Sequence, residues 1–76
     1  MIRELDRVVL TVDIPDDKLK AGDVGRVLYI NKKQKAVEVE FTTYDGKTAI
    51  VAAAKTSQVR HPAKGELKHA RQFFTP

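Results

Sequence analysis

The sequence predicts a mainly β protein: a small five-stranded antiparallel barrel followed by a short basic tail. Three observations predict it. β-branched and apolar residues come in short, evenly spaced runs, turn chemistry separates the runs, and Gly22-Asp23-Val24-Gly25-Arg26-Val27 places a glycine pair at a sharp reversal that feeds straight into a strand. A chain of 76 residues makes one domain at most, and without cysteine it has no disulfide staple and no thiolate metal cage.

The elements follow in order. Val8, Val9, Leu10 and Val12 form an apolar run, β-branched at all but Leu10, and the first strand. Asp13-Ile14-Pro15-Asp16-Asp17 is turn chemistry, because Pro15 fixes φ and aspartates favour turns. Lys18-Leu19-Lys20-Ala21 returns the chain to the body with Leu19 as its apolar anchor, and Gly22 and Gly25 supply φ values that other residues resist. Val27-Leu28-Tyr29-Ile30, apolar on both faces, is the second strand, one side on the core and the other under a loop or a partner. Asn31 to Lys35 is a polar hairpin connection.

Ala36 to Phe41 is the cleanest strand, with Val37, Val39 and Phe41 on one face and Glu38 and Glu40 on the other. Asp45-Gly46 is a type I′ hairpin signal. Thr48 to Ala53 returns as the fourth strand, its small alanines allowing close packing at a barrel corner. Thr56-Ser57-Gln58-Val59 forms a single helical turn before a last short strand at Arg60-His61. This order of elements is that of an SH3-like barrel over residues 1–61. Pro62 ends it. In the tail, residues 62–76, Leu67, Ala70 and Phe74 recur at helical spacing. A helix of about ten residues is marginal alone in water and calls for a docking surface.

Charge is unevenly placed. Residues 1–25 carry four basic and six acidic side chains, residues 26–59 six and three, and residues 60–76 four and one. The net charge of +4 is weaker and less concentrated than a dedicated nucleic-acid binder shows. Charges at Arg3, Glu4 and Asp6 exclude the apolar core of a signal peptide, and no apolar run approaches the ~20 residues of a membrane span. A cytoplasmic protein is expected.

Leu5-Asp6-Arg7-Val8-Val9-Leu10, Leu19 to Val27, Val37 to Phe41 and Asp45-Gly46-Lys47-Thr48 together resemble a bacterial family of short, uncharacterised proteins, a domain of unknown function. The resemblance covers roughly residues 4–61 and implies an SH3-like barrel. The glycine-aspartate-x-glycine-x-valine turn is also similar to those of KOW-type domains in ribosomal and transcription proteins. The family brings no catalytic residues. The resemblance implies small stand-alone genes, some beside toxin-like neighbours, and with them an antitoxin-like or immunity-like role as one form of the function.

Two functional readings stay open, neither an enzyme and neither needing a metal or cofactor. In the first, a protein-binding module engages a protein partner or a second copy through Tyr29, Arg71, Phe73 and Phe74; burying each phenylalanine yields roughly 1.5–3 kcal/mol. In the second, an accessory domain contacts nucleic acid through Lys32, Lys33, Lys35 and Lys47, with Lys55 nearby, each neutralised phosphate steepening the salt dependence. The simpler alternative for the lysines is a solvated hairpin tip.

Other candidates are weaker. The Gly22–Val27 turn could offer backbone N–H groups to an anion, but no P-loop lysine-hydroxyl pair follows and Asp23 repels phosphate. Glu38 and Glu40 stand ~7 Å apart on one strand face, within the span of acid/base pairs, but with no cleft predicted. His61 and His69 lack further ligands in sequence, and Ser57 lacks a base. A chain without tryptophan has no aromatic-lined groove for proline-rich peptides.

Overall fold

The structure is a computed structural model that describes residues 1–42 and 47–66. Five strands form one antiparallel sheet: β1 (Arg7–Leu10), β2 (Val24–Asn31), β3 (Ala36–Thr42), β4 (Ala49–Lys55) and β5 (Val59–Arg60), in the order β4-β3-β2-β1-β5. Among the described residues, β4 and β5 are the two edges of the sheet. The predicted five antiparallel strands are therefore present, with shifted ends. Asp45-Gly46 and the tail beyond Glu66 lie outside the described residues.

The shifts have physical causes. β1 ends at Leu10 because the Thr11 N–H turns away to the Gln58 carbonyl (2.8 Å), which leaves Val12 outside the strand. β2 begins at Val24 rather than Val27, because Val24, Gly25 and Arg26 already pair with Val9, Val8 and Arg7. The two glycines thus do different work. Gly22 sits in the turn at φ +98°, where an L side chain is strained, whereas Gly25 is a strand residue whose missing Cβ lets β3 approach. The last strand is Val59–Arg60 rather than Arg60-His61, with buried Val59 paired to Leu10.

The double-faced apolar run in β2 is resolved by a bulge. Val27 pairs with Val39 and Tyr29 pairs with Glu38, so Leu28 is an extra residue between them. Val27 points into the core, while Leu28 and Tyr29 are exposed. The core itself follows strand alternation: Val37, Val39 and Phe41 from β3 meet Ala52 and Ala54 from β4 and Val8 and Leu10 from β1. Leu19 completes it from the long first loop, where it bridges to Ile14 around a 3-10 turn at Pro15–Asp17.

Two aspartates hold the end of that loop. The Lys20 N–H donates to Asp23 Oδ2 (2.9 Å) and the Ala21 N–H donates to Asp13 Oδ1 (2.9 Å). The Gly22 N–H donates to the Leu10 carbonyl and the Asp23 N–H to the Lys20 carbonyl. All four successive N–H groups of the turn are thus engaged within the protein, and an anion would find none of them available. Asp23 is fully buried, the one buried charged side chain among the described residues. Asp23→Ala is expected to destabilise the fold by about 1–3 kcal/mol, since it leaves the part-buried Lys20 N–H without its acceptor and empties a fully buried position. Asp23→Asn, which keeps an oxygen for the Lys20 N–H, should cost less. Urea unfolding of both variants checks the order.

Candidate binding surface

The outer face of β2, β3 and β4 is set by the same alternation that builds the core. Across it run Arg26, Glu40 and Val51 in one row and Tyr29, Glu38 and Ala53 in the next. Tyr29 is 51% exposed and Val51 53%, and Leu28 adds a further apolar group at the bulge. Leu5, 70% exposed at φ +71°, is tied beside the bulge through its N–H to the Val27 carbonyl (2.7 Å). A shallow depression of about 120 Å³ lies at one end of this face, walled by Tyr29, Asn31, Gln34, Ala36, Glu38 and Ala53.

Glu38 and Glu40 both point outward from β3, facing Tyr29 and Arg26 in the neighbouring strand. Only Glu38 reaches the depression. Among the described residues no group of acidic and histidine side chains is arranged to hold a metal ion, and no helix is long and apolar enough to cross a membrane.

The same end of the sheet carries the lysines. Lys32, Lys33 and Lys35 are exposed on the β2–β3 connection, which is braced by the Gln34 N–H donating to Asn31 Oδ1 (3.1 Å). Lys35 adopts φ +52° to close the connection. Its carbonyl accepts from both the N–H and the Oγ1 of Thr56 (2.9 and 3.2 Å), which docks the 3-10 turn Thr56–Gln58 against the hairpin. Ala36 pairs with Lys55, so Lys55 joins the three hairpin lysines. Lys47 does not. It precedes β4 at the opposite end, where Ala49 pairs with Thr42, about 20 Å away along the strand. The four predicted nucleic-acid lysines are thus three together and one apart, with Lys55 in the place of Lys47.

The other edge is clamped. Arg60 makes a two-pronged ion pair with Glu66 (2.7 and 2.6 Å), and Glu66 Oε1 also accepts the Ala63 N–H (2.7 Å). His61 Nε2 lies 3.2 Å from Asp6 Oδ2, joining the end of β5 to the N-terminal segment. The Asp6 carboxyl is lowered below its usual range by the Arg3 N–H and by His61. Arg60, and then the Ala63 N–H, hold the Glu66 carboxyl down at about 2. A lowered carboxyl contributes stability that is present above its ordinary value of 4.5 and is lost as the pH falls through about 2. The 60–66 clamp is therefore expected to open below pH 4.5 and towards pH 2, and in Glu66→Gln to lose that pH dependence. Hydrogen exchange at the Ala63 amide reads both.

Of the predicted partner-binding residues, Tyr29 stands on the outer face; Arg71, Phe73 and Phe74 lie outside the described residues, as do His69 and Tyr44. Asp13 is legible in sequence as a turn residue, but the reach of its carboxylate to the Ala21 N–H is not, nor are Asp23 as an organiser of the loop and Glu66 as the partner of Arg60. The signal for the last was present, since glutamate three residues after Ala63 can reach back to its N–H.

A family model described as Domain of unknown function (DUF4926) matches residues 4–61. No curated protein and no solved structure matches the chain.

Proposed function

We propose, on the premise that the chain belongs to the DUF4926 family of unknown function, that it is a non-enzymatic protein-binding module acting in the cytoplasm. The observation that carries this reading is a set of exposed apolar side chains on the outer face: Tyr29 and Val51 are about half exposed and Leu28 and Ala53 are also exposed, set among Arg26, Glu38 and Glu40 and beside a depression too shallow to enclose a substrate. The element order, the bulged β2 and the 3-10 turn between β4 and β5 support an SH3-like arrangement of the sheet. An antitoxin-like or immunity-like role is one form the binding takes. Affinity capture of the tagged full chain from its native host tests the reading, with Tyr29→Ser as the surface variant. A stoichiometric partner that is lost in the variant is the expected result. A strictly monomeric chain that captures nothing would overturn it.

A second reading, contact with nucleic acid, is favoured by one observation: Lys32, Lys33, Lys35 and Lys55 gather at the end of the sheet where Tyr29, Asn31 and Gln34 line the depression. Lys35 holds a left-handed conformation that costs a non-glycine residue about 1 kcal/mol. Lys35→Gly is accordingly expected to raise the melting temperature. If the lysines bind phosphate, the same change weakens binding of a fluorescent single-stranded oligonucleotide at low salt. Affinity no better than that of a neutral control protein would remove this reading.

A further inference from the structure

We propose that the β4 edge pairs antiparallel with β4 of a second copy of this chain, about a two-fold axis at Ala52. This rests on the protein-binding reading and names the partner.

The two edges of the sheet are unlike. β5 is two residues long, and its Arg60 is held across the following segment by Glu66. Short strands and charged groups are the devices that keep sheet edges from pairing. β4 has neither until its last residue, Lys55. It is seven residues long, pairs with β3 without a break from Ala49 to Lys55, and carries neither proline nor charge before Lys55. Among the described residues, no strand pairs with its outer side.

The sequence of β4 is also complementary to itself. Antiparallel pairing centred on Ala52 places Val51 opposite Ala53 of the second copy and Ile50 opposite its Ala54. Each large side chain meets a small one, on both faces of the sheet. Lys55 falls opposite Ala49, so no like charges stand directly against each other. Such a contact is isologous and closes at two copies. The contact is one pair of seven-residue strands, small beside standard stable interfaces, and a dissociation constant of micromolar order is expected.

Sedimentation velocity on the full chain, over a concentration series, is the test. Wild type is expected to pass from monomer to dimer. Val51→Lys with Ala53→Lys sets lysine against lysine across the axis and should weaken the dimer at least tenfold. Val51→Lys with Ala53→Glu sets lysine against glutamate and should restore it. Both side chains are exposed, and circular dichroism verifies that the fold is kept. A chain that stays monomeric throughout, or a double-lysine variant that associates like wild type, overturns the proposal. Failure of the lysine-glutamate variant to recover overturns the register. A monomer that still captures a stoichiometric partner from the host sinks this dimer and leaves the protein-binding reading standing.

Discussion

Phe41→Ala is expected to lower the unfolding free energy by about 3–5 kcal/mol, the range for removing a buried phenylalanine. Phe41 is 1% exposed and is the largest fully buried side chain among the described residues. Its ring fills the space left by Gly25 on β2, and its backbone pairs with Ile50 on β4. Truncation would leave a cavity in the core cluster next to Gly25, which has no side chain to help fill it. Native domains have total stabilities of about 5–15 kcal/mol, and one this small belongs near the lower end. The variant should therefore be largely unfolded at physiological temperature, seen as a lost near-ultraviolet signal and a missing cooperative urea transition. An unfolding free energy within about 1 kcal/mol of wild type would mean that the core is not centred on this ring.

Most strands were legible because alternation is a strong signal where one face is buried. Val37, Val39 and Phe41 against Glu38 and Glu40 could be assigned to faces from sequence alone, and β3 holds that assignment. β2 was harder. Its apolar run has no period of two, because a bulge at Leu28 resets the alternation midway, and nothing in the residue types announces a bulge. The first loop was recognisable by its proline and aspartates. Which aspartate would be buried was not, since burial of Asp23 depends on β1 and β2 closing around the turn.

The candidate surface was legible in kind and not in place. Tyr29 could be singled out as the aromatic of a double-faced strand, but not its face, because strict alternation would set it on the side of Val27 and the bulge at Leu28 turns it outward. The grouping of the lysines depends on register: β3 and β4 align Ala36 with Lys55 and Thr42 with Ala49, which brings Lys55 to the hairpin and sends Lys47 to the far end. Residue spacing along the chain carries no such information.

Gly25→Ala is expected to cost about 2–3 kcal/mol, at the upper part of the range for overpacking a filled core. A Cβ at this position would stand 2.5 Å from Val39 Cγ1, 2.8 Å from the Glu40 carbonyl oxygen and 2.9 Å from Phe41 Cδ1. Two of these neighbours are side chains that can shift. The carbonyl belongs to the β3 backbone and is fixed by pairing on both sides. Relief by a second substitution should therefore be partial: Gly25→Ala with Val39→Ala removes the closest clash, leaves the carbonyl contact and adds a cavity of its own. A double-mutant cycle in urea would show coupling between the two sites. Gly22→Ala provides the contrast, because nothing lies within 4 Å of its added Cβ and the strain comes from φ +98° alone. That strain should cost about 1 kcal/mol and couple to neither Val39 nor Phe41. If Gly25→Ala proved as mild as Gly22→Ala, β2 and β3 would have to lie further apart at Gly25 than these distances place them.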